Sequence, residues 1–203
     1  MGARVLFAVF RACFLLVLLT AAGRALAHPH VWITNVATFV FEGNKVVALR
    51  LQWTFDPFYG EMLARDFDKN RNKTFDPDEI KAIQANAFSS LVRYNYFTHL
   101  RVGGAKVAFK EVASFTASVG ESGVRYQFTL ALPQPLDPAE KPIGLSVYDE
   151  SYYIEILLDE QDPVRFEGVA NAACHFKVVE DKENPIYFGL VYPQQMVVAC
   201  ERS

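Results

Sequence analysis

A polar segment at residues 68–79 carries oxygen-bearing residues at the spacing of an EF-hand calcium loop. In such a loop, side-chain oxygens at the first, third and fifth positions converge on the ion. The seventh position offers its backbone carbonyl, the ninth often acts through water, and the twelfth is a bidentate glutamate. Calcium takes about six to eight oxygen ligands, which one such loop can supply. The predicted ligands, in that order, are Asp68, Asn70, Asn72, Thr74, Asp76 and Glu79.

The same segment has a second interpretation as the start of a helix. Asp76 and Glu79 are spaced as a capping box, with Asp76 as the N-cap of a helix that begins at Pro77. The sixth loop position, where glycine normally permits a sharp turn, is Lys73. A side chain at positive φ costs about 1 kcal/mol. A weak calcium site and a loop that folds without calcium are therefore both consistent with the sequence.

A second group of candidate ligands is the pair His28 and His30. If the chain is cleaved before His28, the new α-amine and the His28 imidazole can chelate one metal ion, and His30 can add a nitrogen. Such nitrogens suit zinc, nickel, cobalt or copper. Pro29 has no amide proton, so further ligands would have to come from elsewhere in the chain. The alternative is that both histidines simply lead into the first strand. The remaining histidines are His99 and His175.

Cleavage before His28 is expected because residues 1–27 have the three parts of a secretory signal peptide. Arg4 and Arg11 form a positive region, an apolar run follows at 12–22, and Ala-Leu-Ala at 25–27 is a small-residue cleavage site. The apolar run is shorter than the roughly 20 residues that span a bilayer. An uncleaved anchor is the alternative, which Arg24 slightly favours. We therefore expect export to the periplasm.

The composition of the remaining chain limits the classes of partner. Cleavage would leave 203 − 27 = 176 residues, enough for one domain with its own core. Three of the 20 basic residues would leave with the signal peptide, so the net charge would be 17 − 23 = −6. This balance argues against nucleic-acid binding and suits cations or protein partners. No second apolar run is long enough to cross a membrane.

Two cysteines, Cys174 and Cys200, would remain after cleavage. Since exported proteins fold in an oxidising compartment, we expect a disulfide between them. A metal site formed by a cysteine and His175 is the alternative, although no C-x-x-C spacing supports it.

The pattern of apolar residues predicts strands on both sides of a helical segment. Asp56-Pro57 begins one helix, and Pro77 begins a second helix whose apolar residues at 80, 83, 87, 88 and 91 share one face. Strands are predicted at 31–41, 46–53, 97–102, 106–112, 123–132, 143–158, 164–169 and 174–180. The expected fold is therefore a single α+β domain over residues 28–203, mostly antiparallel and sandwich-like. It carries an inserted EF-hand-like helix–loop–helix at about 57–95.

Candidates for catalysis are few. No G-x-S-x-G or H-E-x-x-H motif occurs, so we expect a protein that is not an enzyme. Asp149, Glu150, Tyr152 and Tyr153 form a polar-aromatic cluster that could line a site, although in a strand such alternation usually places one face in the core.

Several short motifs are spread along the chain: residues 28–32 (HPHVW), 53–58 (WTFDPF), 94–98 (YNYFT), 148–149 (YD) and 152–153 (YY). With the polar loop, they resemble a bacterial family of secreted proteins of unknown function. Its members are commonly labelled the periplasmic component of an uncharacterised ABC-type transport system. The resemblance covers essentially the whole mature chain. It implies a role in envelope metal handling, because members are often encoded near nickel/cobalt-type exporters or other divalent-metal transporters. Many members carry glycine where this chain has Lys73.

The leading interpretation is a periplasmic metal-binding accessory protein for transport or homeostasis of a divalent transition metal such as nickel, cobalt or zinc. Its expected partner is a membrane metal transporter or another envelope protein, and its expected ions are Zn, Ni, Co or Cu, with Ca²⁺ at the loop. The alternative is a non-catalytic envelope interaction module whose loop is structural or stabilised by calcium.

Overall fold

The computed structural model describes residues 30–109, 112–121, 123–169 and 173–201, which form two β-sheets and a helical segment. The predicted signal peptide and His28 lie outside the described residues. The strands in these ranges are β1 (Val31–Gly43), β2 (Lys45–Phe55), β3 (Thr98–Val102), β4 (Ala105–Val107), β5 (Val112–Gly120), β6 (Gly123–Leu136), β7 (Ile143–Val147), β8 (Ile154–Leu158), β9 (Val164–Val169), β10 (Cys174–Glu180) and β11 (Gln194–Cys200).

The first sheet has the order β5-β6-β2-β1-β8. β8 pairs with the first part of β1, and β9 pairs with the second part. β1 and β2 form an antiparallel hairpin whose turn contains Gly43 at a φ of 62°. β8 and β9 both run parallel to β1, with Val31 opposite Ile154 and Ala37 opposite Val164. The sheet is thus antiparallel except along this edge, where the first strand meets strands from the last third of the chain.

The second sheet has the order β10-β11-β7-β3-β4, and all its pairings are antiparallel. Every residue of β7 is buried. Cys174 and Cys200 lie opposite each other on β10 and β11 and are joined by a disulfide. The predicted disulfide and the predicted mostly antiparallel β structure are both confirmed.

Four strand predictions differ from the structure. The strand predicted over residues 106–112 is interrupted, since β4 ends at Val107 and β5 begins at Val112. The strand predicted over residues 143–158 is two strands, β7 and β8, separated by a turn at 148–153. β5 and β11 were not predicted. β5 is mostly exposed and dominated by alanine, serine and threonine, and in β11 the two glutamines are followed by the continuous apolar run at 196–200. Neither segment therefore shows a clear alternation of apolar and polar residues.

The helical segment lies between β2 and β3. Helix α1 spans Pro57–Phe67, and its N-cap Asp56 accepts hydrogen bonds from the backbone N–H groups of Phe58 and Tyr59, both at 3.0 Å. Helix α2 spans Pro77–Ile83 and continues as a π-helical turn at Gln84–Phe88 and a 3₁₀ stretch at Ser89–Phe97. Among the described residues, no helix is long and apolar enough to cross a membrane.

The second predicted helix begins where expected but does not remain α-helical to residue 91. The π-helical turn adds a residue to one turn, and its last residue, Phe88, is buried against Trp53 and Phe128. The departure from regular α-helix thus accompanies the burial of a large aromatic side chain. The core that receives this side chain is formed by both sheets and both helices.

Candidate functional site

The loop at residues 68–79 connects α1 to α2, and its backbone turns sharply at the sixth position. Lys73, at the sixth position, has a φ of 64°. The Asp68 carboxylate accepts hydrogen bonds from the N–H groups of Asn72 at 3.1 Å and Lys73 at 2.9 Å. Phe75, at the apolar eighth position, is buried in the core. The loop therefore makes the sharp turn despite the absence of glycine.

The same loop is also stabilised by its own hydrogen bonds. The Glu79 carboxylate accepts the N–H groups of Lys69 at 2.7 Å and Asp76 at 2.9 Å, the second being a capping-box contact. The Asp76 carboxylate accepts the Asn70 side-chain amide at 2.7 Å. Within the described ranges, no group of three or more His, Cys, Asp or Glu side chains is arranged to hold a metal ion. The oxygens of this loop face N–H donors, so an ion would have to replace some of these bonds.

A cavity of about 940 Å³ lies at another place, beside β3. Three segments surround it: the 3₁₀ stretch at 92–97, the end of the β3–β4 hairpin with residues 106–109, and the turn at 148–154. Its volume falls in the range of small-molecule sites, roughly 300–1,000 Å³.

One wall of the cavity has an unusual backbone. Asn95, Tyr96 and Phe97 have φ values of 51°, 53° and 53°, and a left-handed side-chain-bearing residue costs about 1 kcal/mol or more. The Asn95 side chain holds this wall in place. Its amide donates to the Thr98 carbonyl, and its oxygen accepts the N–H of Phe109 at 2.8 Å. Backbone strain of this kind concentrates at ligand sites.

The turn at 148–154 forms a second wall, and Asp149 organises it. Its carboxylate, 8% exposed, accepts the N–H groups of Ser151 at 2.9 Å and Ile154 at 3.1 Å. Asp149, Glu150 and Tyr153 line the cavity. Three members of the polar-aromatic cluster therefore lie at the cavity, and Asp149 shapes the turn.

His99, on β3, lines the cavity. Its Nε2 lies 3.1 Å from the Tyr148 carbonyl oxygen, and its ring stacks on the Tyr148 ring with centroids 3.7 Å apart. A carbonyl only accepts, so Nε2 carries the hydrogen and Nδ1 is the unprotonated nitrogen of the neutral ring. Burial lowers the pKa of His99. Metal-binding histidines are commonly held in this way, with one ring nitrogen donating to a carbonyl.

His30 lies at the start of β1, near the same cavity. Its backbone N–H donates to the Tyr153 carbonyl at 2.9 Å, and its ring centroid is 4.7 Å from that of Tyr153, which lines the cavity. His175 is on β10, separated from β3 by β11 and β7. The structure thus places the predicted ligand His30 against Tyr153, and it places His99, which the sequence offered only as a remaining histidine, in the cavity that Tyr153 also lines.

Several of the segments that suggested a family resemblance lie at this cavity: residues 94, 95 and 97 belong to its strained wall, residues 148, 149 and 153 belong to its turn, and residue 30 contacts Tyr153. Residues 53–58 do not line it. The chain belongs to the family described as "Protein of unknown function (DUF1007)". The family's sequence model matches residues 13–197.

A relative from Spirochaeta aurantia is similar to this member of the DUF1007 family. It is described as an uncharacterized 15.5 kDa protein in the trpE 3′ region, and it is 31% identical over 141 residues, which cover 70% of this chain and 100% of the relative. The expected membership of a family of unknown function is confirmed. Neither match names a transport system, a metal or an activity.

Proposed function

We propose that this protein is a non-enzymatic, periplasmic metal-binding accessory protein that serves transport or homeostasis of a divalent transition metal. His99 and His30 supply nitrogen ligands at the cavity, and His28 with its α-amine adds to them in the cleaved chain. The observation that carries the proposal is the hydrogen bond from His99 Nε2 to the Tyr148 carbonyl. In the neutral ring this bond selects the tautomer with the hydrogen on Nε2, which leaves the lone pair of Nδ1 to bind a metal.

Two further features support the proposed setting and partner. The Cys174–Cys200 disulfide suits an oxidising compartment. The loop between β10 and β11 carries exposed apolar side chains, with Phe188 95% and Leu190 66% exposed. A backbone pairing of Ile186 with Val191 closes this loop. Exposed apolar side chains on such a loop suit contact with a membrane metal transporter or another envelope protein.

Replacing His99 or His30 with alanine should weaken the binding of nickel, cobalt, zinc or copper by about tenfold or more each, because each change removes one nitrogen ligand. Isothermal titration of the mature protein with each metal measures this. His175→Ala is the matched control, since His175 is an exposed histidine on a distant strand, and its affinity should be unchanged. Equal affinities for the wild type and the His30→Ala/His99→Ala variant would refute the proposed site.

The pH dependence of metal binding provides a further test of His99. Protons compete with metal for a neutral imidazole. Because burial lowers the pKa of His99, this ligand stays available at pH values below the ordinary histidine pKa of about 6.5 and is lost as the pH falls through its lowered pKa. We therefore expect His99→Ala to shift the midpoint of metal loss towards higher pH. An unchanged midpoint would contradict a ligand role for His99.

The loop at residues 68–79 is proposed as a separate, weak calcium site of the EF-hand type. The positive φ of Lys73 supports it, as do the hydrogen bonds that the Asp68 carboxylate accepts from the backbone N–H groups of Asn72 and Lys73. Lys73→Gly should strengthen calcium binding, because it removes backbone strain and a positive charge, whereas Glu79→Gln should abolish it. Asp78→Asn, an exposed carboxylate outside the ligand positions, serves as the control. Calorimetry without a calcium response in either the natural protein or Lys73→Gly would leave only the capping role of Glu79.

A further inference from the structure

The outer edge of β8 has no strand partner in the described part of the chain. β8 pairs with β1 along one edge only, and the bond from the Asp159 N–H to the Asn35 carbonyl at 3.0 Å continues this parallel pairing. Because successive backbone N–H groups point to opposite sides of a strand, residues 155, 157 and 159 face β1. The N–H and C=O groups of Ile156 and Leu158 therefore face outward. An unpaired edge of this kind is a template for another strand.

The other outer strands carry features that block such pairing. β4 and β10 have Lys106 and Lys177 at their centres, β9 has Arg165 and Glu167, and α2 contacts β5. Charged side chains, lysine above all, and covering elements are the usual protection of a sheet edge. β8, with the sequence IEILL, has neither a basic side chain nor a covering helix among the described residues. Its edge is therefore the one most open to an added strand.

A groove of about 110 Å³ lies beside β8. All five residues of β8 line it, and Ile186 and residues 191–194 of the loop between β10 and β11 form the opposite wall. Leu157 is 47% exposed and Tyr192 48% exposed, so each wall carries a large apolar side chain that is half unburied. An extended peptide that pairs with the edge of β8 would contact both walls with its side chains.

Aromatic side chains extend this surface beyond the groove. The Glu155 carboxylate accepts the indole N–H of Trp32 at 2.9 Å and the hydroxyl of Tyr152 at 3.0 Å. The Tyr152 ring lies 5.4 Å from the Tyr187 ring. Tyr152, Tyr187 and Phe188 have φ values of 57°, 48° and 58°, in the left-handed region that is costly for a residue with a side chain. Backbone strain of this kind concentrates at binding sites.

The charges around β8 favour a basic partner. Residues 149–163 contain six acidic side chains and no lysine or arginine. Of these, Asp162 forms an ion pair with Arg165, whereas Glu150 and Glu160 are exposed. A lipid surface fits less well than a protein strand. Hydrocarbon leaves the N–H and C=O groups of a sheet edge unsatisfied, and anionic headgroups would repel the acidic side chains.

We propose that β8 binds an extended apolar segment of an envelope partner, which adds a strand to the first sheet and carries basic residues at its ends. Its backbone pairs with Ile156 and Leu158, its side chains contact Leu157 and Tyr192, and its basic residues face the acidic side chains around β8. This inference rests on the envelope-partner part of the proposed function and is independent of the metal ligands.

A synthetic peptide tests this inference on the mature protein. Its five central residues, which match the length of β8, alternate valine and threonine, and two lysines flank them at each end. We expect the bound peptide to protect the amides of Ile156 and Leu158 from hydrogen exchange measured by NMR, because these amides donate to the added strand. N-methylation of the five central residues removes the peptide's own donors and should weaken binding by about tenfold or more.

The charges of the peptide supply a second arm of the test. Replacing its four lysines with glutamates should weaken binding by about tenfold at low salt, because the acidic side chains around β8 then repel it. The difference should shrink as sodium chloride is added, since salt screens exposed charges.

A protein variant supplies the third arm. Leu157→Thr/Tyr192→Ser should weaken binding of the lysine-flanked peptide by about fivefold or more, because it removes apolar surface from both walls of the groove. Val178→Thr/Val179→Thr is the matched control, since it changes two exposed apolar residues on an outer strand of the other sheet, and its affinity should be unchanged. If circular dichroism shows that the first variant does not fold, the exchange pattern and the N-methylated peptide decide.

Several results would overturn the inference. They are the absence of binding below about 1 mM lysine-flanked peptide, protection elsewhere without protection of Ile156 and Leu158, and equal binding of the N-methylated peptide. A wild-type dimer that Leu157→Thr/Tyr192→Ser dissociates would assign the edge to a second copy. Binding to vesicles of phosphatidylethanolamine and phosphatidylglycerol in place of the peptide would assign it to lipid.

Nickel titration of the same sample separates this inference from the metal-binding function. Nickel binding without peptide binding would overturn the inference alone. Peptide binding without nickel binding would refute the metal-binding function and leave the inference standing.

Discussion

Replacing Trp53 with alanine is expected to lower the free energy of unfolding by about 3–5 kcal/mol, a large share of the total for a domain of this size. Trp53 is 1% exposed, and its ring packs on Phe128, Phe97 and Phe88 with centroids 4.8, 6.2 and 6.4 Å away. Removing it leaves a cavity where both sheets and the helical segment meet. Urea denaturation followed by far-ultraviolet circular dichroism measures the loss.

Trp32, the other tryptophan, provides the control. It is 42% exposed, and its indole N–H donates to Glu155 at 2.9 Å on the surface. Trp32→Ala should therefore cost only about 1 kcal/mol or less. Equal losses for the two variants would contradict the assignment of Trp53 to the centre of the core.

The Cys174→Ser/Cys200→Ser variant is expected to lose about 3–4 kcal/mol of stability. The disulfide closes a segment with a sequence separation of 26 residues, and the loss of such a cross-link increases the entropy of the unfolded chain. Hydrogen exchange should locate the effect on β10, whose ladder partner in the described structure is β11.

Reductant provides the comparison for this prediction. It should destabilise the wild-type protein towards the stability of the double serine variant and leave that variant unchanged. A wild-type protein isolated without reductant that yields two free thiols, or a double variant of unaltered stability, would show that the bond contributes nothing to the native protein.

Local signals in the sequence predicted much of the fold. The helix starts at Pro57 and Pro77 were correct, because proline after an aspartate N-cap is a strong local preference. The disulfide was predicted from the number of cysteines and the expected compartment. The α-form of the second helix ends early because burial of Phe88, a tertiary effect, outweighs local propensity.

The candidate site was predicted only in part. The sequence singled out His30 and the cluster at 149–153, but it gave no reason to place His99 beside that cluster. The pairing of β3 with β7 places His99 next to the turn at 148–153, and the pairing of β1 with β8 places His30 against Tyr153. Both pairings join residues far apart in the chain. The left-handed backbone at 95–97 has no glycine to mark it, so its side-chain hydrogen bonds had to be seen in three dimensions.

The parallel edge of the first sheet also constrains the order of folding. β1 can pair with β2 as soon as residue 55 has been synthesised. The other edge of β1 can pair only after β8 and β9 have been synthesised, more than 100 residues later. Contacts at such long sequence separation form slowly, because the loop-closure entropy is lost before they stabilise the chain. The native neighbours of this edge of β1 are therefore complete only when residue 169 is available. A chaperone that holds this edge during synthesis would delay completion of the sheet without opposing any local helix or hairpin.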